Sequence, residues 1–372
     1  MPNAESGGKF GEVARRLGLV DDAAVARALD IQEKMRALGV VPKRLGEILV
    51  DLSLLSPEKV DEVLRAQKGR NGSFAIEGFE LLEKLGQGTT GAVYKARQLS
   101  LDRIVALKIL APSLASNPAY VARFQREAKI VSQLAHVNVI GGIDVGESGG
   151  YRYFVMEFVD GPTLLRILER GGALDEARAT KITLQIARAL DHAHRLSLVH
   201  QDVKPDNIII ADGGVAKLCD LGLAKVRSSE EGAASDGRTI GTPNYISPEQ
   251  ARGEEDVDIR SDVYSLGATY YHALCGAVPF AGPSPGATLS RHLNERPRAP
   301  RDVNPSVSEP VSRIVLRMLE KRPSDRYQTP AELIEDLEAL VAGRPVPSQN
   351  RGKTVRSSGL GAPRPGRSRR DR

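Results

Sequence analysis

Cysteine is scarce in this sequence, and long apolar runs are missing from it. Its 372 residues include only two cysteines, Cys219 and Cys275, too few for a disulfide framework or a four-cysteine zinc site. No apolar run approaches the roughly 18 residues of a membrane-spanning helix, and the N-terminal residues lack the apolar stretch of a secretory signal. We therefore expect a cytoplasmic protein with no transmembrane segment.

The length and composition predict a folded protein with more than one domain. At roughly 150 residues per domain, a chain of 372 residues corresponds to two or three domains. Hydrophobic residues make up 41% of the chain and charged residues 27%, and both values are near those of soluble globular proteins. Wholesale disorder and a fibrous repeat are therefore excluded.

The net charge of +5 comes from the last residues of the chain. Residues 344–372 contain many arginines and lysines, and their only acid is Asp371. The segment is also rich in glycine, proline and serine, so it cannot bury enough apolar surface to offset its ordering entropy. We expect a disordered, solvated basic tail with phosphorylatable serine and threonine, and a nucleic-acid or membrane contact is the alternative. Specific binding to nucleic acid is not expected.

The first 68 residues contain an internal repeat. Sliding the sequence along itself aligns the following pairs: Phe10 with Leu45, Gly11 with Gly46, Glu12 with Glu47, Leu17 with Leu52, Val25 with Val60, Leu29 with Leu64 and Gln32 with Gln67. Apolar residues recur at helical spacing in each copy, and Asp21 and Ser56 stand at candidate N-cap positions. Each copy is therefore predicted to form two short helices. Residues 69–76, with two glycines, are predicted to form a linker.

Beyond the linker, the pattern predicts strands first and helices later. Short runs rich in β-branched and aromatic residues begin at about Phe79, and a helix is predicted from Pro118 to Leu134 between the third and fourth strands. After Gly161 the segments become long and amphipathic with helical spacing. The sequence therefore predicts an α+β fold in which a strand-rich lobe precedes a helical lobe.

A glycine-rich string lies between the first two predicted strands. Gly86, Gly88 and Gly91 are followed by Val93 in the pattern Gly-x-Gly-x-x-Gly-x-Val. Glycine lets backbone amides approach phosphate oxygens without obstruction, so such a loop suits a nucleotide. A strand follows the string and no Gly-Lys-Ser/Thr is present, which excludes the dinucleotide-binding fingerprint and the P-loop. The string alone does not identify a site.

Two further segments point to phosphate chemistry. Lys108 lies on the third predicted strand, where it could hold phosphates, and Glu127 on the following predicted helix is its candidate partner. The segment from His200 to Asn207, followed by Asp220-Leu221-Gly222, then resembles the catalytic loop and metal-binding turn of the eukaryotic-like (Hanks-type) serine/threonine protein kinases. The resemblance extends from about Phe79 to Gly343. It includes the ends of the activation segment, a following helix from Asp262, and an Arg326 that would pair with Glu249.

This resemblance implies roles for residues at the matching positions. Asp202 would accept or orient the proton of the substrate hydroxyl, and Lys204 would contact the transferred phosphoryl group. Asn207 and Asp220 would bind Mg²⁺, with Mn²⁺ as an alternative ion, because hard oxygen ligands suit such ions. The nucleotide would be ATP, and the residues that would surround its adenine are Val93, Ala106, Met156, Glu157, Phe158, Val159 and Ile209.

The resemblance implies a protein kinase fold and an activity toward protein substrates. Lys204 and Thr242 resemble the serine/threonine class, so we expect phosphorylation of serine and threonine in protein substrates, including the chain itself. The first alternative is a pseudokinase that acts as a scaffold or nucleotide sensor, although such proteins typically lack one of the residues Lys108, Asp202, Asn207 and Asp220. A small-molecule kinase is a more distant alternative, because the Ser-Pro-Glu segment resembles a protein-substrate element.

Two positions depart from the kinase pattern. Leu221 replaces a phenylalanine and can still pack against apolar neighbours. Gln201 replaces an arginine, and a neutral amide lacks the charge that clamps a phosphate on the activation segment. We therefore expect phosphorylation at Thr239, or at Ser228, Ser229 and Ser235, to modulate activity without switching it.

The N-terminal repeat resembles the tandem motif in the N-terminal domain of type II secretion and type IV pilus assembly ATPases, some of which bind cyclic di-GMP. A ligand of that kind would use the cations Lys9 and Arg44 beside the glycines Gly11 and Gly46. The alternative is a small helical bundle that docks on a protein partner or on the kinase lobe. The predicted domains are residues 1–68 (helical repeats), 69–76 (linker), 77–343 (kinase) and 344–372 (basic tail).

Overall fold

The chain divides into two compact units, residues 1–117 with 145–155 and residues 118–144 with 156–372. The computed structural model of the protein describes residues 10–37, 43, 45–56, 59–60, 62–63, 76–88, 91–111, 114, 121–122, 124, 134–148, 150–220 and 243–350. The first unit contains the N-terminal helices and most of a β-sheet, and the second is mostly helical.

Three helices form the N-terminal part of the first unit: α1 (Phe10–Arg16), α2 (Asp22–Ala37) and α3 (Leu45–Asp51). The carboxylate of Asp21 accepts a hydrogen bond from the backbone of Ala24 (2.8 Å), so it caps α2 as the sequence predicts. Residues 59–60 and 62–63 are helical as well. The first repeat copy therefore forms α1 and α2, and the second forms α3 and these later helical residues.

The two repeat copies pack against each other reciprocally. A Cβ on Gly11 would lie 2.7 Å from Val25 Cγ1 and 3.4 Å from Leu45 Cδ2. A Cβ on Gly46 would meet the residues at the equivalent positions, Val60 Cγ1 at 3.1 Å and Phe10 Cζ at 3.0 Å. Each glycine thus faces a valine of its own copy and the first residue of the other copy's helix. The repeat is therefore a pseudo-twofold pair of helices that cross where neither has a side chain.

The same symmetry appears where α1 and α3 end. Gly18 and Ser53 stand at equivalent positions, and both have left-handed backbones with φ of 68° and 54°. Their amides donate to the carbonyls of Arg15 (2.9 Å) and Val50 (2.8 Å). A left-handed residue after the last turn supplies these bonds in many helices, and glycine adopts it most readily. Ser53 keeps the same turn without glycine.

Five strands form the main sheet, in the order β1-β2-β3-β5-β4. Their bounds are β1 Phe79–Gln87, β2 Gly91–Gln98, β3 Arg103–Leu110, β4 Gly142–Ser148 and β5 Tyr151–Glu157. β1 and β3 are both antiparallel to β2. In the register of β2 and β3, Val93 stands directly opposite Lys108 and Lys95 opposite Ala106. Directly opposed residues lie on one face of a sheet, as do residues two apart, so Val93, Ala106 and Lys108 share a face.

The second unit is built around helices that pack on one central helix. The helices are α4 Leu164–Gly171, α5 Glu176–Arg195, α6 Pro248–Arg252, α7 Ile259–Cys275, α8 Pro285–Asn294, α9 Pro300–Val303, α10 Glu309–Met318, α11 Pro330–Val341 and α12 Pro347–Asn350. Most residues of α7 are buried, as expected of a helix surrounded by protein. It packs against α5 and α10, and α5 also packs against α11.

A short hairpin lies between α5 and α6. Its strands are β6 (Ile208–Ile210) and β7 (Ala216–Leu218), and a turn of 3₁₀ helix, Pro205–Asn207, precedes it. The predicted α+β fold, with a strand-rich part followed by a helical part and preceded by small helices, is confirmed. Within the described ranges, no helix is long and apolar enough to cross a bilayer.

The structure differs from the sequence prediction at the start of the basic tail. Residues 344–350 pack on the second unit, where Val346 is buried and α12 forms. The backbone amide of Ser348 donates to the buried carboxylate of Asp336 (3.0 Å), and Gln349 Nε2 donates to the carbonyl of Pro310 (3.0 Å). Composition predicts solvation of the whole segment, but these contacts hold its first residues. Residues 351–372 lie outside the described ranges.

Candidate active site

The catalytic loop begins where two consecutive amides meet one buried carboxylate. The amides of His200 and Gln201 donate to the two oxygens of Asp262, at 2.7 and 2.6 Å. Asp262 lies near the start of α7 and is fully buried. Gln201 has a left-handed backbone with φ of 66°, which non-glycine residues rarely adopt. The position of the next residue, Asp202, depends on this arrangement.

His200 links the catalytic loop to the residues before Asp220. Its Nδ1 accepts from the amide of Asp202 (3.2 Å), so Nε2 carries the proton and donates to the carbonyl of Cys219 (3.0 Å). The amide of Cys219 in turn donates to the carbonyl of Asn207 (2.9 Å). Asp220 follows with a left-handed φ of 60°. The two predicted metal ligands are therefore held to the same hydrogen-bonded frame.

Three polar side chains converge at Asp202. Its Oδ2 accepts from Lys204 Nζ (2.7 Å) and from Asn207 Nδ2 (2.9 Å), and Asn207 Nδ2 also donates to the Asp202 carbonyl (2.8 Å). The side chains of Asp202 and Lys204 are about one third exposed, at 35% and 34%, whereas Asn207 is buried. Because the Asn207 nitrogen is used on Asp202, its amide oxygen is the atom left to bind a cation.

In the first unit, a backbone hydrogen bond joins two glycines of the string. The amide of Gly88 donates to the carbonyl of Gly91 (2.8 Å). Gly91 has a φ of 153°, and a Cβ there would lie 1.9 Å from the carbonyl oxygen of Ile109, so any larger residue would collide with the backbone. Gly86 lies near the end of β1. The buried ammonium of Lys108 lies on the face that Val93 and Ala106 share.

The segment after β5 is held by an ion pair. Lys217 Nζ lies 2.9 Å from the carboxylate of Glu157, and the Glu157 amide donates to the Gly141 carbonyl (2.9 Å). Lys217 stands opposite Ile209 in the β6-β7 hairpin. Met156 is buried, and Phe158 and Val159 follow Glu157 as half-buried residues. Three predicted adenine contacts thus lie next to, or opposite, one of the paired residues: Met156 and Phe158 flank Glu157, and Ile209 is opposite Lys217.

A buried ion pair fixes α6, which carries the Ser-Pro-Glu segment. Arg326 binds the two oxygens of Glu249 at 2.6 and 2.8 Å, and both side chains are almost fully buried. Burial by itself would raise the pKa of Glu249, but the hydrogen bonds and charge of Arg326, together with Ser261, outweigh it and hold the pKa below its ordinary value. The predicted pairing of Arg326 with Glu249 is confirmed.

A second cluster of buried side chains lies beside this pair. Burial, with the charge of Lys321, lowers the pKa of His292 to about 4, so its ring is neutral and Nδ1 shares a hydrogen bond with the Tyr264 hydroxyl (2.9 Å). Burial also lowers the pKa of Lys321 to about 8. Lys321 donates to the His292 carbonyl (2.7 Å) and lies 4.1 Å from the centre of the Phe280 ring. These contacts join α8 to the residues after α10.

Several predicted site residues lie outside the described residues. They are Glu127, Thr239, Thr242, Lys9 and Arg44. Gly11 and Gly46 are described and buried where α1 and α3 cross.

Three residues that the sequence reasoning did not assign take part in the site. Asp262 holds two amides of the catalytic loop, Lys217 holds Glu157, and Gln250 Nε2 donates to the Gln201 carbonyl (2.8 Å). Only Asp262 leaves a local signal, since a carboxylate inside a mostly apolar helical segment must have buried donors. The other two are polar residues whose partners are distant in sequence.

The chain is similar in sequence to known protein kinases. The model of the protein kinase domain matches residues 79–336. A probable serine/threonine-protein kinase of Clostridium perfringens is 39% identical over 262 residues, covering 70% of this chain and 38% of that protein. Serine/threonine-protein kinase PknB of Mycobacterium tuberculosis is 40% identical over 278 residues, covering 73% of this chain and 44% of PknB. The chain thus spans about two fifths of the length of these curated relatives.

The fold is similar to that of a protein kinase domain of known structure. The PknI kinase domain of M. tuberculosis superimposes with a TM-score of 0.57 at 27% identity, covering 73% of this chain and 98% of that one. The family match, the identity with curated kinases and the hydrogen-bonded group at Asp202 all fall on the same residues. The chain therefore belongs to the protein kinase domain family.

Proposed function

We propose that the chain is a serine/threonine protein kinase that transfers the γ-phosphate of ATP to protein substrates, including itself. The observation that carries the proposal is the group at Asp202, whose carboxylate is held by Lys204 and Asn207 and whose backbone is held through Asp262. Phosphoryl transfer asks a protein mainly for positioning and electrostatic stabilisation. A group fixed from both side chain and backbone supplies the positioning.

Asp202 and Lys204 have complementary roles in this proposal. Two donors hold Oδ2 of Asp202, which leaves Oδ1 to accept or orient the proton of a substrate hydroxyl. The ammonium of Lys204, about one third exposed, can move from Asp202 to the transferred phosphoryl group and stabilise its charge. Both residues stand on one short loop, so the backbone fixes the points at which their side chains are attached, and the flexible lysine side chain allows the ammonium to move.

The donor set fits a hard divalent cation. The amide oxygen of Asn207 and the carboxylate of Asp220 are oxygen ligands on the same hydrogen-bonded frame, and two such ligands suit Mg²⁺, which keeps waters and phosphate oxygens in its remaining positions. Mn²⁺ has similar preferences. When bound, the metal would neutralise charge on the β- and γ-phosphates.

The nucleotide is assigned to the glycine string, to Lys108 and to a set of largely apolar residues. Gly86, Gly88 and Gly91 lack side chains, so a phosphate group can approach the backbone of the string closely, and Lys108, with Glu127 as its proposed partner, offers a cation. The adenine is assigned to Val93, Ala106, Met156, Glu157, Phe158, Val159 and Ile209. The lack of room for a side chain at Gly91 and the shared face of Val93, Ala106 and Lys108 support this assignment.

A transfer assay with radiolabelled ATP tests the proposal. The full chain is incubated with itself and with a generic basic protein, and the products are analysed for phosphoserine and phosphothreonine. Asp202→Asn is expected to lower the rate by about a hundredfold or more, because it removes a positioned base. An Asp202→Asn protein that keeps more than half of the wild-type rate would overturn the proposal. A wild type that binds ATP without transfer would favour the pseudokinase scaffold.

For the N-terminal helices we propose a protein-docking module, with cyclic di-GMP as the competing ligand. Gly11 already faces Val25 of its own copy and Gly46 faces Phe10 of the other copy, so their backbones are not open to a ligand on those sides. Calorimetry of the full chain with cyclic di-GMP tests this. Heat that disappears in an Arg44→Ala, Lys9→Ala variant would support the resemblance to the secretion ATPases and overturn the docking proposal.

A further inference from the structure

Gln250 joins the helix after the activation segment to the catalytic loop. Its Nε2 donates to the carbonyl of Gln201 at 2.8 Å, and the two residues are far apart in sequence. Gln250 is 6% exposed, so water does not compete freely for this bond. Gln201 is half-buried, and a carbonyl that loses its donor away from water is costly; Gln250 supplies a donor to this carbonyl.

The other end of the Gln250 amide is fixed as well. The side-chain oxygen Oε1 accepts from the backbone amide of Ser247 (3.2 Å), and the backbone amide of Gln250 donates to Ser247 Oγ (3.3 Å). This reciprocal pair is a capping box at the start of α6. The same short helix is fixed by the buried pair of Glu249 and Arg326. Gln250 therefore reaches Gln201 from a rigid support.

Both backbone polar groups of Gln201, its amide and its carbonyl, are hydrogen-bonded to side chains. Asp262 accepts from its amide at 2.6 Å, and Gln250 donates to its carbonyl. Its φ of 66° is unfavourable for glutamine, so the conformation depends on these two partners. The next residue is Asp202, and a change in the Gln201 peptide would move the Asp202 carboxylate.

We propose that Gln250 is a positioning residue for Asp202, and that this neutral hydrogen bond orders the catalytic loop without a phosphate on the activation segment. The inference rests on the proposed function of Asp202. The side chain of Gln201 is an uncharged amide and cannot pair with a phosphate by charge. The link through Gln250 consists of amide, hydroxyl and carbonyl groups, so a phosphate takes no part in its hydrogen bonds.

Steady-state kinetics of the full chain after phosphatase treatment test the proposal. Gln250→Glu keeps the acceptor for Ser247 and loses the donor for Gln201, and Gln250→Met keeps the length and loses both. Each variant is expected to lower kcat about tenfold or more, since small displacements of reacting groups are costly, with the KM for ATP within about twofold of the wild type. The dephosphorylated wild type is expected to keep at least about a third of its kcat.

The matched control is Gln185→Glu. Gln185 on α5 also donates through Nε2 to a backbone carbonyl, that of Gly214 (3.1 Å), and its described partners, Gly214, Asn138 and Ala216, all lie outside residues 200–207. Circular dichroism melting shows which variants fold, and Gln250→Met decides if Gln250→Glu does not.

The outcomes separate this inference from the proposed function. A kcat within twofold of the wild type in a folded Gln250 variant, or an equal loss in Gln185→Glu, would overturn the positioning role. A dephosphorylated wild type with almost no activity would overturn independence from phosphate. No transfer by any form of the wild type would overturn the proposed function and this inference with it.

Discussion

Asp262 fixes the start of the catalytic loop through two hydrogen bonds. It is fully buried and accepts the amides of His200 and Gln201 on its two oxygens. Hydrogen bonds to a charged acceptor are about twice as strong as neutral ones, and a buried carboxylate that lost a donor would be costly. The left-handed backbone of Gln201 is therefore maintained by its partners, against its own conformational preference.

Glu249 is a second buried carboxylate, and its pairing with Arg326 predicts a pH-dependent stability. Arg326→Met leaves Glu249 buried without a cation, which is expected to lower the free energy of unfolding by about 3–5 kcal/mol near neutral pH. In the wild type the pKa of Glu249 is below its ordinary value. Its contribution is therefore present above that ordinary value and lost as the pH falls through the lowered pKa. In the variant, burial alone raises the pKa, so the deficit shrinks in acid.

Chemical denaturation of both proteins between about pH 4 and pH 8 measures this deficit. The matched control is Arg313→Met, which removes an exposed pair with Glu309 (2.8 Å) and is expected to cost less than about 1 kcal/mol. The explanation is wrong if Arg326→Met costs no more than the control, or if its deficit does not change with pH.

At the scale of secondary-structure elements, the N-terminal repeat shows how a duplicated sequence packs on itself. α1 and α3 approach at Gly11 and Gly46, and each glycine faces the valine of its own copy. Helix propensity alone would favour alanine over glycine at both positions by about 1 kcal/mol. Val25 lies close to Gly11 and Phe10 lies close to Gly46, so a side chain at either glycine would collide with its neighbour.

Gly11→Ala is expected to be destabilising when Val25 is present and stabilising when Val25 is shortened. With Val25, the new Cβ would lie 2.7 Å from a valine methyl group, and overpacking of this kind costs about 1–3 kcal/mol. In a Val25→Ala background the collision disappears, and the gain in helix propensity of about 1 kcal/mol remains. Hydrogen exchange of peptides from α1 to α3 in the full chain measures the stability of this part. The same sign in both backgrounds would contradict the observed packing.

At the scale of the whole molecule, the order of the sequence motifs predicts the order of strands and helices better than it predicts the contacts between distant residues. The strand-rich and helical parts and the capping by Asp21 follow from spacing and local chemistry, whereas the pairing of Glu249 with Arg326 is implied by the resemblance to protein kinases. The bond from Gln250 to Gln201 could not be predicted, because its partners are distant in sequence and periodicity does not encode such pairs. The packing of residues 344–350 could not be predicted for a similar reason. Composition indicates that a segment is solvated, but it contains no information about a distant buried acceptor such as Asp336. The roles of the individual site residues stay predictions.

The docked start of the tail predicts that two truncations of the chain differ in stability. Removal of residues 344–372 takes two donors from Asp336, the amide and the hydroxyl of Ser348, and leaves only the Tyr327 hydroxyl (2.7 Å) among the bonds described. Asp336 is 1% exposed, so water cannot easily replace these donors, and a loss of about 1–3 kcal/mol is expected. The buried side chain of Val346 is lost as well.

Removal of residues 351–372 alone serves as the control, because it keeps every one of these contacts and is expected to change the free energy of unfolding by less than about 0.5 kcal/mol. Ser348→Ala in the full chain isolates the hydroxyl from the amide and is expected to fall between the two truncations. Chemical denaturation of the four proteins gives the comparison. If the shorter chain ending at Gly343 were as stable as the one ending at Asn350, the contacts of Ser348 and Val346 would contribute nothing, and the kinase domain would end where composition places it.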